Sequence, residues 1–139
     1  MSCMMQTEHY LNNIDLDHKL LELMRFYVSQ LNGCAYCIDM HFKEAIAAGE
    51  TEQRLYSVSM WRDTNFYSEA ERAMFAWAES VTQLSDDALT QQPIFDELSR
   101  HFSVSEMANL TLAVSQINSW NRLARSFGFE AGSYQLGQH

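Results

Sequence analysis

The run Asn32-Gly33-Cys34-Ala35-Tyr36-Cys37-Ile38-Asp39-Met40-His41 decides how this chain is read. Upstream of it, Leu16, Leu20, Leu23, Tyr27 and Leu31 recur at the spacing of one helix face, which predicts a helix from about Asp15 to Leu31. Asn32-Gly33 ends it, because either residue tolerates the left-handed conformation that closes a helix. A second helix then begins near the cysteines and ends at Gly49. With Cys34 at its N-terminus, the unpaired amide groups and the positive end of the dipole favour thiolate over thiol. Cys37 lies within disulfide reach of Cys34, and His41 follows Cys37 one turn later on the same face. Two thiols and one imidazole therefore converge. The imidazole is suited to take a proton from Cys37 and return one to a leaving group near neutral pH.

The rest of the chain carries the same helical signal. Thr51 caps a short helix through about Met60, and Asp63 to Tyr67 reads as a loop. Ser68 with Glu71 has capping-box spacing, followed by the apolar stripe Ala70, Ala73, Trp77 and Val81. Pro93 fits the first turn of a helix from about Gln92 to His101. Ser103 and Glu106 repeat the capping box before a last helix, about Val104 to Ser126. That helix is apolar on more than one side and so is either central to a bundle or buried against another subunit. With one Pro and five Gly in the chain, strand and turn signals are scarce. The expectation is an all-α, single-domain bundle of about six helices over residues 15–127. A polar arm, residues 1–14, precedes it and a loose tail, residues 128–139, follows it.

At 139 residues and 47% apolar content the chain can bury one core without disulfide staples. Nine Lys and Arg against eighteen Asp and Glu leave a net charge of -9, and no basic run occurs. Nucleic acid and anionic membranes are excluded as partners on that ground. No apolar run is long enough to span a bilayer, and the first fifteen residues hold no Lys or Arg, so the reading is a soluble cytoplasmic protein. In a reducing compartment a C-x2-C pair suggests redox or metal chemistry rather than a structural bridge.

Other readings of the same residues stay open at this point. The cysteines and His41 could simply pack in a core. Cys34, Cys37 and His41 could ligate a metal, although no second C-x2-C or H-x3-H supplies a fourth ligand, and neither a metal nor another cofactor is expected. Glu22, on its own, reads as a solvated helix residue pairing with Arg25 or His18. Phe26, Tyr27, Trp61, Trp77 and Trp120 read as core, and Asn118 and Asn121 as groups satisfying buried backbone or subunit contacts. Glu44, Glu50, Glu52 and Glu79 read as a solvated outer face, and Cys3 has no assigned role.

The segment from Leu20 through His41, LLELMRFYVSQLNGCAYCIDMH, resembles the core of the alkylhydroperoxidase D-like proteins, also called the carboxymuconolactone decarboxylase family. The stretches KEAIAAGETEQRLYSVSMWRDTNFYSEAERAMFAWAESVT and LTLAVSQINSWNRLA are similar to later helices of the same group. The resemblance covers roughly Asp15 to Phe127, and its E-x11-C-x2-C-x3-H spacing is more specific than a bare C-x2-C. It implies an all-helical fold, usually in a homo-oligomer such as a trimer or hexamer. By the same resemblance Cys37 is the peroxidatic cysteine, Cys34 the resolving one, His41 the acid/base group and Glu22 the start of a proton relay. The implied activity is reduction of a hydroperoxide at the expense of an unidentified thiol reductant. A disulfide oxidoreductase or redox sensor, or an oligomeric ligand-binding protein without catalysis, are the alternatives. Where the peroxidases of the family carry a second histidine, this chain has Tyr36, whose phenol is a poor proton shuttle at neutral pH. The decarboxylases lack the cysteine pair, which disfavours lactone decarboxylation.

Overall fold

Nine consecutive residues of one helix, Leu21–Ser29, are buried, and the other helices are arranged around them. In the computed structural model, which describes residues 1–84 and 87–138, this central element is α2 (His18–Leu31). Before it comes α1 (Ser2–Asn12); after it come α3 (Ala35–Ala47), α4 (Glu52–Tyr56), a 3₁₀ segment (Val58–Asp63), α5 (Glu69–Gln83), α6 (Ala88–Ser99) and α7 (Val104–Ser126). No strand occurs among the described residues. The fold is all-α, as the periodicity predicts, with seven α-helices among the described residues rather than about six. No helix among the described residues is long and apolar enough to cross a membrane.

The caps behave as the sequence indicates. Ser68 and Ser103 each accept from the backbone of a Glu that reaches back to the cap, so both capping boxes are complete. Gly33 takes φ +63°, the left-handed turn that separates α2 from α3. The last helix is apolar on several sides because it packs on α1, α2, α3, α5 and α6; Met107, Leu110, Val114 and Ile117 are buried, whereas Leu112 is exposed.

Four expectations are corrected. Residues 1–14 are not a loose polar arm: α1 buries Leu11 and is held to α7 by hydrogen bonds from Trp120 Nε1 to Glu8 (2.8 Å), Gln116 to the Met4 carbonyl (3.0 Å) and Tyr10 to Asn109 (2.7 Å). One core-facing leucine among polar residues leaves too weak a periodicity to show this. The fourth and fifth elements also differ: the short helix stops at Tyr56, and the 3₁₀ segment takes Val58–Asp63 into what reads as helix end and loop. Pro93 lies inside α6 rather than in its first turn, because Asp87 caps the helix earlier by accepting from Thr90 N. The amide that proline lacks would bond the Leu89 carbonyl, and Leu89 is exposed, so losing that bond at the helix surface costs less than it would in the core. Finally, the acidic outer face is only partly solvated. Glu50 is buried against Arg54, which also pairs with Glu71, while Glu44 and Glu79 bond the phenols of Tyr134 and Tyr27.

The aromatic residues fill the core as expected. Tyr27, Trp61 and Tyr67 surround Phe75, and Trp61 Nε1 donates to the Tyr27 hydroxyl at 3.0 Å.

Candidate active site

Cys34 is the N-cap of α3, and its Sγ accepts from the Cys37 backbone N–H at 3.3 Å. That places the sulfur at the positive end of the helix, where a thiolate is favoured. The turn that puts it there is held from α7. Asn32 Nδ2 donates to both Asn118 Oδ1 and Asn121 Oδ1 (2.9 Å each), Asn121 donates to Ser29 Oγ, and Arg125 donates to the Asn32 carbonyl at 2.9 Å. Asn118 and Asn121 therefore fix the loop ahead of the cysteines, a purpose that their position in an apolar helix hints at without naming the partner.

Cys34 and Cys37 are joined as a disulfide, with their Cα atoms 5.2 Å apart. Both are nearly fully buried, at 1% and 4% exposure, and with Ala124 they form a small apolar cluster covered by Tyr36. One turn on, His41 is buried, and its Nδ1 lies 2.8 Å from Glu22 Oε2 on α2. Glu22 is not a solvated residue. It is 3% exposed, and its other oxygen accepts from Arg25 Nη1 at 2.6 Å. The Arg25 pairing read from helical spacing is present, whereas His18 is exposed at the surface. Burial pushes the Glu22 carboxyl up, but the charges and hydrogen bonds of His41 and Arg25 outweigh it and hold the group down at about 2. An ionised carboxylate can only accept, so the hydrogen bond between them is donated by His41 Nδ1–H to Glu22. The structure thus pairs Glu22 on α2 with His41 on α3, and joins Cys34 to Cys37 one turn earlier at the start of α3. Cys3 is a free, exposed cysteine on α1.

Arg25 extends the arrangement. It is 4% exposed and also reaches Glu8 (3.4 Å) and Asn12 (3.5 Å) on α1. The chain Trp120–Glu8–Arg25–Glu22–His41 consequently ties α7, α1, α2 and α3 together through polar groups. The helical spacing of Glu22 and Arg25 is the visible signal; Glu8, on the far helix, gives none.

The tail is folded over α3 rather than loose. Phe129 meets Tyr36 edge to face with ring centroids 5.4 Å apart. Tyr134 is 2% exposed, its hydroxyl donates to Glu44, and its carbonyl accepts from Lys43 Nζ at 2.9 Å. Burial, Glu44 and the more distant Glu22 push this phenol well above its ordinary range, so it remains a neutral donor. Tyr36 packs against the cysteine pair and Phe129. Between the tail, α7 and the start of α3 lies a pocket of about 180 Å³, whose wall includes Gly33, Cys34, Tyr36, Arg125, Gly128 and Phe129. Among the described residues, no group of three or more His, Cys, Asp or Glu is placed to hold a metal ion.

The model of the carboxymuconolactone decarboxylase family matches residues 4–80. The chain belongs to this family. Among its relatives is the uncharacterized YdfG of Bacillus subtilis (strain 168), 36% identical over 96% of this chain and 90% of that protein. Another is the uncharacterized YnjA of Escherichia coli (strain K12), 27% identical over 74% of this chain but 56% of its own length. The crystal structure of ATU0492 from Agrobacterium tumefaciens, a protein of unknown function proposed to be the antioxidant defence protein AhpD, superposes with a TM-score of 0.89. It is 34% identical, covering 96% of this chain and 90% of that one. The debrominase Bmp8, solved as a cysteine-to-alanine form with 2,3,4-tribromopyrrole, shares the fold with a TM-score of 0.81 at 18% identity, over 95% of this chain and 70% of its own. Membership in a family that takes its name from an enzyme, together with a cysteine pair at disulfide distance, fits a redox role.

Proposed function

We propose that this carboxymuconolactone decarboxylase family member is a thiol-dependent peroxidase that reduces hydroperoxides through Cys37 and Cys34. The observation that carries the reading is the disulfide-bonded pair at the start of α3, with a buried His41–Glu22 pair one turn behind it. In the reduced protein His41 Nε2 takes the Cys37 proton, and the thiolate attacks the distal oxygen of the hydroperoxide. The O–O bond breaks, Cys37 becomes a sulfenic acid, and His41 returns the proton to the departing alkoxide, which leaves as alcohol. The Cys34 thiol then gives up its proton as its sulfur attacks the sulfenic sulfur, the S–S bond forms, and the departing hydroxide takes up a proton and leaves as water. Glu22 keeps the imidazole in the Nδ1–H tautomer throughout and stabilises the imidazolium while it exists.

Two external thiols return the disulfide to dithiol, a cycle suited to a reducing cytoplasm. Assembly into a homo-oligomer, a trimer or hexamer, is part of the proposal. The exposed apolar side chains Leu112 on α7, Val104 at its start and Phe127 at its end support it. A thiol-disulfide exchange protein with little peroxide turnover is the second reading, favoured by Tyr36 in the second-histidine position and by the pocket on Cys34.

Steady-state hydroperoxide consumption with dithiothreitol as reductant separates the two readings. The peroxidase reading expects turnover by the wild type, none by Cys37→Ser, and a single trapped sulfenic acid in Cys34→Ser. Equal, slow consumption by wild type and Cys37→Ser eliminates it, and rapid disulfide exchange in the same samples then selects the second reading.

A further inference from the structure

We propose that the pocket beside Cys34 is where the reductant enters, and that it accepts a small thiol bearing a carboxylate, anchored by Arg125. This rests on the redox role of the Cys34–Cys37 pair but not on peroxide being the oxidant. The pocket wall contains Cys34 and not Cys37, so a thiolate that enters it approaches Cys34; with Cys34 1% and Cys37 4% exposed, the wall must relax before Sγ is attacked. A volume of about 180 Å³ corresponds to about six water-sized groups, enough for a mercapto acid. The Tyr36–Phe129 pair forms an aromatic wall, and Gly33 and Gly128 line the space without side chains.

Arg125 is exposed, stands in the last turn of α7 and lines this pocket. One of its nitrogens, Nη1, is committed to the Asn32 carbonyl, which holds the guanidinium at the turn leading into Cys34. Its remaining N–H groups form the fork that suits a carboxylate. On a chain of net charge -9, a cation placed at this opening distinguishes it from the surrounding surface and favours an anionic thiolate over a cationic thiol.

The exchange balances as follows. The incoming thiolate attacks Cys34 Sγ, the Cys34–Cys37 bond breaks, and Cys37 leaves as a thiolate that takes its proton from the His41 imidazolium or solvent. A second thiolate attacks the incoming sulfur of the mixed disulfide and ejects the Cys34 thiolate, which the Cys37 N–H and the α3 dipole stabilise. Two thiols are oxidised to a small disulfide, and the protein disulfide gains two electrons.

The test measures reduction of the oxidised protein by 3-mercaptopropionate, 2-mercaptoethanol and cysteamine at equal thiolate concentration, without peroxide. Comparing the wild type with Arg125→Gln and Arg125→Lys cancels the intrinsic reactivity of each thiol. Arg125→Gln should slow 3-mercaptopropionate about fivefold more than it slows 2-mercaptoethanol, the range of an exposed ion pair, and should slow cysteamine no more than 2-mercaptoethanol. Arg125→Lys should retain part of the preference, and added salt should erase it. Equal slowing of all three thiols, or none, overturns the role of Arg125. A second measurement treats reduced Cys37→Ser and Cys34→Ser with 3,3′-dithiodipropionate: Cys34 should be labelled fast and Cys37 slowly. Equal labelling overturns the entry route. Because neither measurement involves a hydroperoxide, either outcome is independent of the peroxidase test.

Discussion

Replacing Arg25 with methionine isolates the electrostatic centre of the site. In the wild type Glu22 and Arg25 are 3% and 4% exposed and 2.6 Å apart, and Glu22 also holds His41 at 2.8 Å. Removing one partner of a buried ion pair costs about 3–5 kcal/mol, because the other charge is left in a poorly solvating place. His41 still faces Glu22 in the variant, and Glu8 can turn to water, so the lower end of that range, about 3 kcal/mol, is expected. With a urea m-value of about 2 kcal/mol/M, the unfolding midpoint should fall by about 1.5 M. The double variant Glu22→Gln with Arg25→Met removes both charges and keeps an acceptor for the His41 Nδ1–H. It should be more stable than Arg25→Met alone. The pH dependence follows the same logic. Glu22 titrates near 4.5 when unfolded and near 2 when folded, so its contribution is complete above about 4.5 and is lost as pH falls toward 2. In Arg25→Met one cause of the lowering is gone, and acid destabilisation should begin at higher pH. A loss below about 1 kcal/mol, or a double variant no more stable than the single one, refutes the picture of a buried, ionised carboxylate held by Arg25 and His41.

Two further outcomes follow from the same contacts. Tyr134→Ala empties a fully buried ring site and should cost about 3 kcal/mol in urea unfolding, whereas Tyr134→Phe, which keeps the ring and loses the hydroxyl bond to Glu44, should cost about 1; equal values would show that the tail is not packed on α3. Asn121→Ala removes a 0% exposed amide that bridges Asn32 and Ser29, and should cost about 2 kcal/mol and speed alkylation of reduced Cys34; an unchanged alkylation rate would separate the asparagine clamp from the cysteine loop.

Local chemistry made much of this protein legible in its sequence. Asn32-Gly33, Ser68 with Glu71, and Ser103 with Glu106 each end or begin a helix through contacts a few residues long, and each reads correctly. What escapes is what depends on a distant partner. The polar α1 is fixed by Leu11 and by groups on α7, and Tyr134 gains its burial from α3; neither leaves a periodic trace. At the candidate site, the spacing of Cys34, Cys37 and His41 is a property of one helix and is visible at once. Glu22 lies on another helix, and only the family resemblance singles it out. Its pairing with His41 depends on how α2 packs against α3, which no spacing encodes. Glu50 shows the same limit in reverse, since a lone glutamate after a helix end reads as solvated until Arg54 closes over it.

The most direct test is to react the fully reduced protein with one equivalent of cumene hydroperoxide in the absence of oxygen, then map the cysteines by peptide mass spectrometry. The account predicts one equivalent of cumyl alcohol, a Cys34–Cys37 disulfide and an intact Cys3 thiol. Unconsumed hydroperoxide with both Cys34 and Cys37 still alkylatable would contradict it.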